Sequence, residues 1–459
     1  MKKFLARGLV FFLISATSAA QLEKVLIEPD GVNTDVVLVE KNGKVLYESY
    51  ARGYTKDTPH LSWSMAKTIT GILIAQASVE YKFSLNDKVS QFIPEFKGDA
   101  KIIDVLQMSS GIEFTEDYFG LPVSSDVVKM LYLDGARMGA SEYVKSLPLR
   151  ARHKPGNHFF YSSGDTNLLM EILKKVIQDD LVFENYPWKK IFQPLGIEKV
   201  TFERDRNGIF IGSSYIYMKA EDFLKMGRLI VNRGKWDHKQ IVPEFYMDLL
   251  HRVSFGVEQT ALQETAAARA YSVQATTNLP IAGRNLPSEY ESLPTDSILF
   301  LGHQGQLIAA SPSQKLVIVR LATDKGARFK RQDFFTAVKE LILKTDRTYV
   351  TAQSNENSPR RVETVKSSFK GKLNILELVN IPQLIRSFTA KEFCSCRFVV
   401  GRSYEACYAD IALTMPVMPQ IHISGGAAAE TKTVKTQFLI GDETSAEFTG
   451  KKFGCRLIN

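Results

Sequence analysis

The chain has 459 residues, of which 44% are hydrophobic and 24% charged. That balance supports a full apolar core and excludes a disordered or fibrous chain, and the length exceeds one average domain. The formal net charge of +8 is mild for this size, and no arginine-rich run or aromatic-interleaved basic stripe accompanies it, so a nucleic-acid partner is not expected.

The first 20 residues read as a secretory signal peptide. Lys2, Lys3 and Arg7 precede the apolar run Gly8 to Ile14, and Ser18-Ala19-Ala20 offers small residues for cleavage before Gln21. The run is too short to span a bilayer, and no second segment approaches spanning length. Export to the periplasm or the medium is expected, with no stable membrane anchor after cleavage. Cleavage would remove three basic residues and leave a formal +5.

Asp35 to Glu40 and Lys44 to Tyr50 are strand-like runs around Asn42-Gly43, a strong hairpin signal. Ser64 and Lys67 follow, at the start of the apolar stretch MAKTITGILIAQA. Three residues apart on a helix, their side chains share one face. The helix start favours negative charge, and a neutral lysine can take a hydroxyl proton, which is the chemistry of an activated serine nucleophile. The spacing alone is weak. Ser367 and Lys370 repeat it in a polar stretch with no following apolar helix, and that instance is read as chance.

Ile102 to Met108 reads as an amphipathic helix closed by Ser109-Ser110-Gly111, and helical spacing recurs over Asn167 to Val176 and Ala220 to Val231. Tyr161-Ser162-Ser163 stands just before the first of these later helices. A phenol beside a lysine can pass protons. Asp165 is read as a turn or helix-capping residue, not a triad acid. Strand character returns at Ser297 to Gly302, Gln306 to Ala310 and Lys315 to Leu321, and a helix over Gln332 to Lys344 closes the meander. Gly302-His303-Gln304-Gly305-Gln306 ends the first of these strands. An edge there could lay its backbone along a substrate, and one N–H could join that of Ser64 around an oxyanion. Early strands, a helical middle and late strands imply an antiparallel sheet whose first and last segments meet, with a large helical insertion.

The composition turns polar from about Ala352 to Lys372. The expected organisation is therefore a catalytic domain over 21–350, a linker over 351–372 and a small Cys-containing α/β appendage over 373–459. All the cysteines lie in that appendage: Cys394, Cys396, Cys407 and Cys455. In an exported chain an even count permits two disulfides in any of three pairings. Cys394 and Cys396 are too close in sequence for an easy mutual bond, so one or both should reach Cys407 or Cys455. His422 is the only histidine nearby, and a metal site is not expected.

SMAK, then YSS, then HQG resembles the three-motif signature of serine β-lactamases, D,D-peptidases and their esterase relatives. Order and spacing are most similar to the class C branch, and within it to the 6-aminohexanoate-dimer hydrolase and esterase group. DVLQMSSGI, WKKIFQPLGI and AEDFLKMGRLIVNRGKW extend the likeness, which covers about Asp35 to Leu321. The resemblance implies an α/β, β-lactamase/transpeptidase-like fold and a covalent acyl-enzyme, without cofactor or metal. Ser64 would be the nucleophile. Lys67 would be a proton acceptor or the cation that tunes one, and Tyr161 would carry the proton to the leaving group. Ser64 and Gln306 would supply the oxyanion-hole N–H groups. Ser163 stands where class C enzymes usually carry asparagine, and His303 where they carry the lysine of the third motif. With Gly305 and, in FTEDYFG, Tyr118, they would meet the substrate.

A histidine in place of a fixed cation suits an esterase or amidase better than an enzyme dedicated to β-lactam carboxylates. A D,D-carboxypeptidase acting on cell-wall peptides, and a non-catalytic envelope-binding relative, are the alternatives. No G-x-S-x-G elbow or H-E-x-x-H occurs, which excludes two other hydrolase signatures. A small ester, amide or peptide is the implied partner. Oligomeric state is not readable.

Overall fold

The computed structural model describes residues 22–26, 30–118, 122–260, 269–326, 328–345, 380–415, 417–425, 432–438 and 442–458. The expected signal peptide and linker lie outside these residues.

The chain opens on strands β1 (Thr34–Lys41) and β2 (Lys44–Tyr50). Asn42 and Gly43 between them both take positive φ, 53° and 74°. Those are the left-handed values a two-residue hairpin turn needs. Far along the sequence come β3 (Thr276–Thr277), β4 (Ile298–Gly302), β5 (Gln306–Ser311) and β6 (Leu316–Ala322). They join β1 and β2 in a six-stranded sheet of order β2-β1-β6-β5-β4-β3. β1 pairs with β6 antiparallel, so the first and last segments of the sheet meet.

Both faces of the sheet are covered, and the period-2 alternation sorts the side chains between them. Val37, Val39, Leu307 and Ile318 pack with Phe334, Phe335 and Val338 of the closing helix, Arg331–Thr345. Val36, Leu38, Ile308, Val317 and Val319 turn to the larger core. Among the helices packed in that core are α1 (Ala66–Glu80), α2 (Ser163–Ile177) and α3 (Ala220–Val231). α1 runs through the middle of the molecule. Ala66 to Ala75 are all buried, which is why the sequence there lacks a polar stripe.

After residue 380 the chain forms α4 (Ile381–Cys394), a π-helical continuation at Ser395–Val400, α5 (Tyr404–Thr414), and a four-stranded antiparallel sheet. Its strands are β7 (Gln420–Ser424), β8 (Lys432–Gln437), β9 (Thr444–Phe448) and β10 (Cys455–Leu457), in that order. Cys394 bonds Cys455 and Cys396 bonds Cys407. This module lies on the helical side of the main body and shares its core: Leu384, Phe393, Val434 and Ala446 belong to the same apolar cluster as α1. A buried ion pair, Lys391 with Glu203, spans the junction. Glu203 also accepts hydrogen bonds from Ser395 (2.8 Å) and from the Cys455 amide (2.9 Å). No helix among the described residues is long and apolar enough to cross a membrane.

Candidate active site

Ser64 lies in a 3₁₀ turn, Trp63–Met65, that leads directly into α1. The turn is strained: Trp63 takes φ 44°, a left-handed value that costs a bulky residue about 1–3 kcal/mol. Its indole N–H donates to Gln304 Oε1 at 3.1 Å, so the first motif is tied to the third across the sheet edge.

Lys67, one helical turn on, is 1% exposed. Burial obliges its amine to find partners, and it has three. Nζ donates to Ser64 Oγ at 2.8 Å, to Ser163 Oγ at 2.8 Å and to the Ser213 carbonyl at 3.3 Å. The ring of Tyr161 faces the same amine, with its centroid 5.0 Å from Nζ. No hydrogen bond joins the Tyr161 phenol to Ser64 or Lys67 among the described residues. The three residues converge from segments nearly a hundred positions apart because α1 and α2 pack side by side.

Ser163 is the first residue of α2, and Ser162 caps that helix by accepting from the Asp165 amide at 3.0 Å. Asp165 accepts from Ser110 Oγ at 2.7 Å. Burial pushes its carboxyl up to about 7, against the lowering pull of the Ser110 hydrogen bonds. It serves the helix start rather than the nucleophile. A residue not anticipated from sequence stands opposite: Glu116. Its carboxylate accepts both the Ser163 amide and the Ser163 hydroxyl, each at 2.7 Å. Tyr118 donates to the same carboxylate at 3.4 Å. Ser213, whose carbonyl holds Lys67, was also not anticipated. Its hydroxyl is held by Asn167 at 3.0 Å. Nothing in the local spacing links Glu116 to Ser163, 47 positions on.

The third motif forms the tight turn His303–Gly305 between β4 and β5. Among the described residues His303 is held by packing, with no hydrogen bond. Its ring stacks on Tyr118 at 4.3 Å and meets the edge of Trp63 at 5.4 Å. Desolvation there pushes the imidazole down to about 4, so it is neutral at pH 7. Tyr118 thus sits in the site, against His303.

Two other residues of the turn face inward. Gly305 has φ +87°, and a Cβ there would lie 2.1 Å from Asp324 Oδ2 and 2.3 Å from an Arg320 nitrogen. Its α-carbon therefore packs on the buried Arg320–Asp324 pair, and only glycine fits there. Gln306 is wholly buried, pairs with Gly302 in the ladder, and binds Ala322 through its side chain. Its place is the base of the hairpin. The residues of the turn with some exposure are His303, Gln304 and Gly305.

A serine hydroxyl within hydrogen-bond reach of a buried amine, at the edge of an antiparallel sheet flanked by helices, defines a β-lactamase-fold serine hydrolase site. The Beta-lactamase family model matches residues 19–341, and the chain belongs to that family.

Among curated proteins, it is similar to 6-aminohexanoate-dimer hydrolase of Paenarthrobacter ureafaciens (25% identical, covering 51% of this chain and 60% of that one). It is also similar to teichoic acid D-alanine hydrolase of Staphylococcus aureus (25% identical, 49% and 59%). The chain spans about three-fifths of the length of these relatives. Solved structures of like fold include EstCE1, a hydrolase with promiscuous acyltransferase activity (TM-score 0.55, 16% identical, 71% and 100% covered). Another is simvastatin synthase LovD from Aspergillus terreus (TM-score 0.54, 14% identical, 71% and 98% covered).

Proposed function

We propose that the protein is an exported serine hydrolase that cleaves an ester or amide through a covalent acyl-Ser64 intermediate. Ser64 Oγ attacks the carbonyl carbon while its proton passes to the Lys67–Tyr161 pair. The oxyanion is held by the Ser64 amide and an amide of the Gly302–Gln306 turn. Collapse breaks the bond to the alcohol or amine, which leaves with the proton. Water then adds to the acyl-enzyme, returns a proton to Ser64 and releases the acid. The base is assigned to the Lys67–Tyr161 pair as a whole.

The observation that carries this reading is the 2.8 Å contact between Lys67 Nζ and Ser64 Oγ, buried beside the Tyr161 ring. The neutral His303 supports an ester or amide without an obligatory carboxylate. A dedicated D,D-carboxypeptidase would need a cation to hold the terminal carboxylate. The hydrolase names of the two curated relatives agree with the reaction class.

The test is a fluorophosphonate probe together with p-nitrophenyl esters, a chromogenic cephalosporin and a D-alanyl peptide, on wild type and Ser64→Ala. Single-site labelling at Ser64 and ester turnover lost in Ser64→Ala are expected. Labelling that survives the substitution refutes the assignment. Export is tested by the N-terminus of the mature chain, expected at Gln21.

A further inference from the structure

We propose that Glu116 is a positioning residue: acting through Ser163, it aims the Lys67 amine at Ser64. The proposal rests on Ser64 being the nucleophile and goes beyond that reading by adding a residue to its activation.

The argument is a count of protons. To take the Ser64 proton, as the proposed reaction requires, the Lys67 amine must present two N–H bonds and one lone pair. Three oxygens surround Lys67 Nζ: the Ser213 carbonyl, Ser163 Oγ and Ser64 Oγ. The carbonyl can only accept, so it takes one N–H. Ser163 has a single hydroxyl proton, and the Glu116 carboxylate 2.7 Å away takes it. A carboxylate accepts and cannot donate, so the Ser163 hydroxyl cannot turn its proton toward the lysine. It must accept the second N–H. The lone pair is then left for Ser64, where it receives the nucleophile's proton. Without Glu116 the Ser163 hydroxyl is free to donate to the lone pair, and the lysine is then satisfied without Ser64.

The carboxylate is itself fixed in direction. Its second oxygen accepts the Ser163 amide at 2.7 Å, a free donor at the start of α2 where negative charge is favoured. Both oxygens of Glu116 thus clamp one residue, and the Tyr118 phenol adds a third donor at 3.4 Å. The charged and titratable groups facing Lys67 are Tyr161 across its ring and Glu116 through Ser163; His303 is neutral.

Glu116→Gln is the discriminating variant, since it keeps the shape. The glutamine carbonyl would accept the Ser163 amide, and its NH₂ would then donate to Ser163 Oγ. The serine proton would be driven onto the lysine lone pair. Glu116→Gln is expected to slow Ser64 labelling by fluorophosphonate about 10–100-fold, the usual worth of a group that orients a reacting partner. kcat for a p-nitrophenyl ester should fall by a similar factor, with KM little changed, and the acidic limb of the rate profile should move.

In a Ser163→Ala background, where no hydroxyl remains to be aimed, the same substitution should have under ~2-fold effect. Wild-type labelling and profile in Glu116→Gln overturn the proposal, as does an equal loss in both backgrounds or a change in KM alone. If Glu116→Gln does not fold, Glu116→Ala, which leaves the Ser163 hydroxyl without its carboxylate, replaces it in the same cycle, with the same outcomes decisive. Ester turnover surviving in Ser64→Ala would instead sink the nucleophile assignment, so the two failures are distinct.

Discussion

The neutral state of His303 has a measurable cost in acid. Its folded value is about 4, against 6.5 for the free side chain, because packing on Tyr118 and Trp63 strips much of the water from the ring. The sign follows from proton counts. Between pH 4 and 6.5 the unfolded chain binds a proton at this residue that the folded chain does not, so stability rises with pH through that window. It is complete above about 6.5 and is lost as pH falls toward 4. A shift of that size is worth at most about 3.4 kcal/mol at 1.36 kcal/mol per unit. His303→Gln removes the titrating group but keeps a side chain of similar reach. Denaturant unfolding of wild type and His303→Gln at pH 4.5 and pH 7.5 isolates the term. The wild type should lose up to about 3 kcal/mol more than the variant on going to the lower pH. Equal losses would mean that the imidazole is not desolvated, and the argument for a substrate without an obligatory carboxylate would fall with it.

Three more outcomes are expected. Lys67→Ala and Tyr161→Phe should each lower ester kcat/KM by at least ~100-fold, the usual worth of a positioned proton carrier; full activity in either would remove it from the mechanism. Gly305→Ala should destabilise by about 1–3 kcal/mol in a thermal melt, since it forces a Cβ into Asp324 at a positive φ; a wild-type Tm would contradict the packing described. Lys391→Met strands the Glu203 carboxylate in the core and should cost about 3–5 kcal/mol. Loss of Lys391 removes the charge that lowers the Glu203 carboxyl and leaves the burial that raises it, so the folded variant resists releasing a proton that the unfolded chain gives up as pH rises. The loss should therefore grow from pH 5 to pH 8, and a pH-independent loss would refute this origin.

What could be read from the sequence was whatever local chemistry dictates. The Asn42-Gly43 hairpin, the Ala220–Val231 helix and the β4–β6 meander lie where periodicity and turn residues put them, within a residue or two at their ends. β3 was missed because two residues give no alternation to detect. Gln306 shows a different limit. The motif located the turn, but that the Gln306 side chain turns inward to bond Ala322 is set by register. Glu116 was hidden for a third reason: an acid beside Asp117 in a loop reads as a solvated charge until the fold brings α2 against it. The disulfide pairing needed the packing of α4 against β10, which no spacing rule supplies.

The turn that carries His303 also shows how the later module bears on the site. Two adjacent residues in it, Gln304 at φ 59° and Gly305 at φ 87°, are left-handed, and the surroundings hold both. Gln304 is gripped from two sides. Its side-chain oxygen takes the Trp63 indole, and its nitrogen donates to Thr414 Oγ1, at the end of α5, at 2.9 Å. The Asp324 amide donates to the Gln304 carbonyl at 3.1 Å, and Arg320 donates to that of Gly305 at 3.0 Å. Arg320 is itself locked to Asp324 by two bonds of 2.7 and 2.9 Å. Strain of this kind persists only where several contacts over-determine it, and here they come from three separate parts of the chain. His303 is placed by packing alone, between two rings, on a turn that cannot relax. The chemistry offered to a substrate at that position is therefore set as much by Trp63, Arg320 and Thr414 as by the imidazole itself.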